Sequence, residues 1–321
     1  MKDSFFTNSL KTSVKWITRV AAFCLLALPL SAKPGKNIDE HFTSIPLITG
    51  NKFLRYVQTD INGTPYLMML DSGADKIFIA QSVATKLKIK TFPYTTAKGT
   101  DGKLSAIRLG PLKTFKVGDL VVPIKNACFA NFPHLTTLKF PDGSTKPSAG
   151  QLGTGFIHKM HVAVDYPGNR LLVPKKPDAG NSADLLIKPG DSSVPMIENK
   201  SGRHYIQATL NGKPVLFLAD TAASSCVLFK PAAKAFKIPL LKRKASVDTF
   251  NSDNATVGIA NVSKLELGGK NRGTVQMLVM PHSPKLKSVQ GMPVVGLLGA
   301  SLFEAFHATI DFSSNKLILA K

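Results

Sequence analysis

The amino-acid sequence predicts an all-β protein of two lobes related by a pseudo-two-fold axis. The chain has 321 residues, enough for two units that each bury a core. From Ile45 onward its text is written twice, about 149 residues apart. Each copy consists of short runs of β-branched and apolar residues broken by Gly, Asn and Asp. One such run in each copy ends abruptly in a carboxylate, a hydroxyl and small residues: Leu70-Asp71-Ser72-Gly73-Ala74 and Ala219-Asp220-Thr221-Ala222-Ala223.

In chain order, Lys11, Lys15 and Arg19 precede the apolar run Val20–Leu30 and then Ser31-Ala32. Eleven helical residues reach about 16 Å, short of the roughly 30 Å bilayer core. A charged start, a short apolar stretch and a small residue before the cut are a secretion signal, with cleavage expected after Ala32. An uncleaved anchor is the alternative, because Leu30 is bulky for its place. The expected location is therefore periplasmic or secreted, and residues 33–44 read as a flexible lead-in. The remaining cysteines, Cys128 and Cys226, allow one disulfide that the sequence does not decide.

The first copy spans residues 45–174 and the second 194–321, joined by a linker over 175–193. Ile45-Pro46-Leu47 returns as Val194-Pro195-Met196, and Tyr56-Val57-Gln58 as Tyr205-Ile206-Gln207. Asn62-Gly63 and Asn211-Gly212 are hairpin turns, each followed by the apolar strand that ends at an Asp. Short helices are expected over 81–87 and 231–236. Polar clusters at 98–102, with two glycines, and at 251–254 read as exposed hairpin tips. Val164-Asp165-Tyr166 and Ile310-Asp311-Phe312 begin the closing strands of each copy.

Hydrophobic residues make up 44% of the chain, too few for a multi-span membrane protein. The balance of 41 Lys and Arg against 20 Asp and Glu gives +21. The basic residues are scattered, with no long basic run and no interleaved aromatics, which argues against nucleic acid as a partner. Loose attraction to an anionic envelope is the expected consequence. Gly153-Thr154-Gly155 is not a dinucleotide loop: position 158 is His and no βαβ unit surrounds it. His158 and His161 have helical metal-ligand spacing, yet His161 aligns with His307 and His158 with Glu304, which points to a structural position.

Asp is costly to bury alone, so a carboxylate ending a buried strand calls for a partner, and the other copy supplies one. Two facing carboxylates share one proton, because two negative charges in contact cannot both persist. One then serves as general base toward a water and the other as acid toward a carbonyl.

With the motifs Asp71-Ser72-Gly73-Ala74 and Asp220-Thr221-Ala222-Ala223, Leu297-Leu298-Gly299 and its weaker partner Gln151-Leu152-Gly153 complete a pattern. Each copy resembles a retropepsin-like (retroviral-type) aspartic protease subunit, and the pair resembles a bacterial single-chain tandem version, over about residues 45–320. The resemblance implies two acid-protease β-barrel lobes and an endopeptidase in which Asp71 and Asp220 activate one water, without metal, cofactor or covalent intermediate. It implies that Ser72 and Thr221 lock the Asp loops together, and that Gly73 and Ala222 form the tight turns. Gly153 and Gly299 would let a strand pass close to each loop. The tips at Gly99, Gly102, Ser252 and Asn254 are the flap candidates. A peptide or protein substrate and a monomer containing its own pseudo-dimer follow from the same resemblance.

Two residues depart from the pattern. Ala222 replaces a glycine, and a positive φ there would cost about 1–2 kcal/mol. Gln151 places an amide where an aliphatic side chain is usual. A second reading therefore stands beside the peptidase: a peptide- or polymer-binding module with a weakened dyad. Ala74 and Ala223 stand where pepsin-like members carry a hydroxyl that could donate to the carboxylate, so the dyad is expected to titrate higher than theirs.

Overall fold

The structure, a computed structural model, describes residues 37–98, 104–131, 136–176, 182–249, 252–281 and 288–321. The secretion signal read in residues 1–32 and the flap candidates Gly99 and Gly102 lie outside them. No helix among the described residues is long and apolar enough to cross a membrane.

Each half begins with the hairpin the sequence predicts. In the first, Arg55–Ile61 pairs antiparallel with Thr64–Leu70 across Asn62 and Gly63, both at positive φ. In the second, His204–Leu210 pairs with Lys213–Asp220 across Asn211 and Gly212 in the same conformation. Two consecutive positive φ values match the right-handed twist of the strands, and Asn-Gly adopts them at low cost. Alternation buries one face: Val57 and Ile61 are fully covered, as are Ile206 and Leu210.

The remaining strands repeat the same wiring. Phe78–Ala80 runs parallel to Asn126–Ala130, as Val227–Phe229 does to Val275–Met280. The helices Gln81–Lys86 and Lys230–Ala235 follow, each shorter at its end than the sequence suggests. The hairpin Phe92–Lys98 with Leu104–Pro111 corresponds to Leu240–Thr249 with Ser252–Val262. Finally Thr145–Leu152 lies parallel to the first Asp strand, and Met292–Gly299 lies parallel to the second.

A shared antiparallel sheet joins the halves. Its order is Phe42–Thr49, Arg170–Pro174, Ala163–Asp165, Thr309–Asp311, Lys316–Leu319 and Ser192–Glu198. The central pairing sets Val164 opposite Ile310, which places the pseudo-two-fold axis between the copies.

Two segments differ from the sequence reading. Residues 38–41 of the expected lead-in form a helical turn capped by the Asn37 side chain, and Phe42 already belongs to the shared sheet. Within the expected linker, Ser182–Leu186 is helical and Ser192 starts a strand. The cause is burial: Phe42 and Leu186 pack with Ala163, Leu172 and Ile318 behind the shared sheet. Cys128 and Cys226 are both buried free thiols, which settles the open disulfide question.

Candidate active site

Both Asp strands end at the junction of the halves. Leu152 O accepts the backbone N–H of Asp71, fixing where the first strand stops. Beyond Asp71 the chain turns tightly, and the N–H groups of Gly73 and Ala74 donate to Asp71 Oδ1 at 3.0 and 3.1 Å. The second loop repeats this, with Ala222 and Ala223 donating to Asp220 Oδ1 at 3.1 and 3.0 Å.

Ser72 and Thr221 bind the loops to each other. Ser72 Oγ donates to Ala219 O at 2.7 Å and accepts from Thr221 N–H at 3.0 Å. Thr221 Oγ1 donates to Leu70 O at 2.8 Å and accepts from Ser72 N–H at 3.0 Å. Both side chains are completely buried, so each hydroxyl satisfies one donor and one acceptor that would otherwise be stranded.

Gly153 and Gly299 stand where strands pass the loops. A Cβ on Gly153 would lie 2.3 Å from Lys76 O and 2.6 Å from Ala74 O. One on Gly299 would lie 2.4 Å from Ala223 O. Neither position tolerates a side chain without moving backbone.

Gly73 touches both carboxylates. Its N–H binds Asp71, while a Cβ on it would sit 2.7 Å from Asp220 Oδ2. Asp71 is nearly buried and Asp220 half-buried. Burial pushes the pKa of both upward, and the charge of Asp220 pushes that of Asp71 further, to about 8. The backbone donors and the nearby Arg203 cation oppose the rise in each case. The pair therefore retains a proton where isolated carboxylates would have lost theirs.

Ala222 is not in the left-handed region, and neither is Gly73. The backbone penalty the sequence raised as a condition does not arise. The alanine packs beside the Tyr56, Leu67, Met69 and Leu138 cluster of the first lobe. Gln151 is buried, opposite Met69 and Phe78 in the sheet. Ser252 and Asn254 belong to the strand leaving the second hairpin tip, where Thr249 pairs with Ser252.

Sequence reasoning missed Arg203 and Asp75. Arg203 Nε donates to Gly73 O at 3.0 Å and lies 2.8 Å from Asp75 Oδ1. Asp75 directly follows the first motif, which is the one signal available; Arg203 comes from a turn of the other copy. His161 and His307 both hold a left-handed turn after a helix, at φ 50° and 45°. His158 Nδ1 lies 3.2 Å from Glu198 Oε1. Among the described residues no group of three or more His, Cys, Asp or Glu side chains could hold a metal.

Two β lobes, each contributing one Asp loop to a common junction, define the two-lobed acid-protease class. The chain belongs to the aspartyl protease family, whose model matches it twice, over residues 57–156 and 206–302. Among solved structures it is similar to the aspartic proteinase from Irpex lacteus, at 12% identity and a TM-score of 0.48, covering 87% of this chain and 97% of that one. It is also similar to a retropepsin-like aspartic protease from Rickettsia conorii, at 25% identity and a TM-score of 0.29, over 40% of this chain and 90% of that one. A third, Basic 7S globulin from soybean, has 12% identity and a TM-score of 0.43, over 87% of this chain and 95% of that one. No curated protein sequence matches the chain.

Proposed function

We propose that the protein is an aspartic-type endopeptidase that hydrolyses peptide bonds with a water activated by Asp71 and Asp220. The observation that carries this reading is the reciprocal hydroxyl lock of Ser72 and Thr221, which fixes the two Asp loops against each other. Such a lock preorganises two carboxylates around one proton, so little reorganisation accompanies the reaction. In the singly protonated pair, the charged carboxylate takes a proton from the water as its oxygen attacks the peptide carbonyl. The protonated one donates to the carbonyl oxygen, giving a neutral tetrahedral diol. Collapse of the diol returns a proton to the leaving amine and restores the pair.

The test is digestion of a diverse peptide pool by the purified protein, with Asp71→Asn alongside. The expected outcome is cleavage by the parent and a loss of at least roughly a hundredfold in the variant, the scale of a removed general acid–base. Peptide binding without cleavage by the parent would replace this reading with that of a binding module.

A further inference from the structure

Arg203 lies in the turn between Ser192–Glu198 and His204–Leu210, in the second copy, yet its guanidinium reaches into the first. Its Nε–H is shared between Gly73 O and the Asp75 carboxylate. The carbonyl it binds belongs to the Gly73–Ala74 peptide. The N–H of that same peptide donates to Asp71 Oδ1. A cation on the oxygen of an amide polarises the group and strengthens its N–H as a donor. Arg203 is thus one peptide unit away from the Asp71 carboxylate, through two hydrogen bonds in series.

The turn that carries Arg203 is itself fixed. Asn199 Oδ1 accepts from the N–H groups of Ser201 and Arg203, both at 3.0 Å. Thr154 Oγ1 lies 3.1 Å from both Ser201 O and Asp75 O, tying the turn to the loop. The pseudo-equivalent places of Arg203 and Asp75 are held by Leu54 and Ser224, so the Ala222–Ala223 peptide gets no matching cation from that position. The other charged and titratable groups around the pair are few. Asp75 is half-exposed beside Arg203. Behind Asp220, Tyr166 is covered by Arg55, which is in turn paired with Glu304.

We propose that Arg203 is a positioning residue for the aspartate pair: beyond tying the two copies together, it supplies, through the Gly73–Ala74 peptide, a one-sided positive field in which the two carboxylates share their proton. The proposal deepens the peptidase reading. Its field opposes the upward push of burial and so draws the working range toward acid.

The experiment measures two quantities on the full chain with Arg203→Gln, Arg203→Met and Arg203→Lys. One is the carboxyl titration of the pair by NMR of carbon-13-labelled aspartate, and the other is the pH–rate profile on the peptide pool. The Gln and Met variants are expected to move the titration upward by roughly one pH unit, the lower end of the effect of a nearby opposite charge. The rate profile should move with it. The Lys variant keeps the charge and should titrate within about 0.3 unit of the parent. A neutral variant that titrates like the parent, whatever its turnover, would reduce Arg203 to a mechanical clamp and overturn the proposal. So would a Lys variant that shifts as far as the neutral ones. Because the titration needs no turnover, it decides about Arg203 even if the parent cleaves nothing.

Discussion

Gly73 and Ala222 occupy equivalent turns, and neither needs a positive φ. What glycine provides at 73 is room, since a methyl there would meet the Asp220 carboxylate at 2.7 Å. Gly73→Ala should therefore displace Asp220, lower stability by about 1–3 kcal/mol as overpacking does, and reduce cleavage at least roughly tenfold, the scale on which misplaced reacting groups cost rate. Ala222→Gly should behave differently. It frees a backbone and removes a methyl packed beside the Tyr56 cluster, so stability falls by about 1 kcal/mol. Turnover should stay within about twofold of the parent. Thermal melts and initial rates check both, and a severalfold rise in turnover for Ala222→Gly would show that its methyl crowds the cleft. A glycine expected from family pattern alone was a poor guide here. The pattern records identity, whereas the cost depends on φ and on what the Cβ meets.

Among the elements, those legible in the sequence are the ones with local causes. Asn62-Gly63 and Asn211-Gly212 dictate their turns through neighbouring residues, and the strands flanking them alternate as half-buried strands should. The helical turn at 38–41 and the helix Ser182–Leu186 were not legible. Their stability comes from Phe42 and Leu186, helped by the partly buried Ile38, Leu185 and Ile187, packed on strands far away in sequence. The hydroxyl lock is intermediate: its residues were visible, its partners were not. Each half of it can be removed separately. Ser72→Ala strands Thr221 N–H and Ala219 O, and Thr221→Val strands Ser72 N–H and Leu70 O. Each should cost on the order of 1–3 kcal/mol in urea unfolding, the penalty of buried unpaired groups. The double variant should cost clearly less than the sum, because both hydroxyls belong to one network. Additive losses would mean that the loops are held independently.

At the scale of the whole molecule, duplication made the two lobes and their axis readable, because matched text implies matched folds. It hid Arg203 for the same reason. A residue without a counterpart in the other copy carries no repeat signal, and its partners Gly73 and Asp75 lie in the opposite half. The symmetric aspartate pair and His204, whose counterpart in the first copy is Arg55, together set how the folded state responds to pH. The aspartate pair binds a proton more tightly folded than unfolded, so its contribution is fully present below the unfolded carboxylate range. It is lost as pH rises toward about 8. His204 has the opposite sign. It is buried against the ring of Phe312, with centroids 4.9 Å apart, and burial lowers its affinity for a proton. Its contribution is present above the unfolded histidine value of about 6.5 and is lost as pH falls below it. Just below pH 6.5 the two slopes oppose, so stability varies less with pH in mild acid than above it. Above it, stability should fall by up to roughly 1.4 kcal/mol per pH unit until the pair has ionised. Melting temperatures from pH 3 to 9 test this for the parent, Asp71→Asn and His204→Phe. The first variant should flatten the alkaline side and the second the acid side. An alkaline fall that survives replacement of both aspartates by Asn would show that the pair does not hold its proton in the folded state.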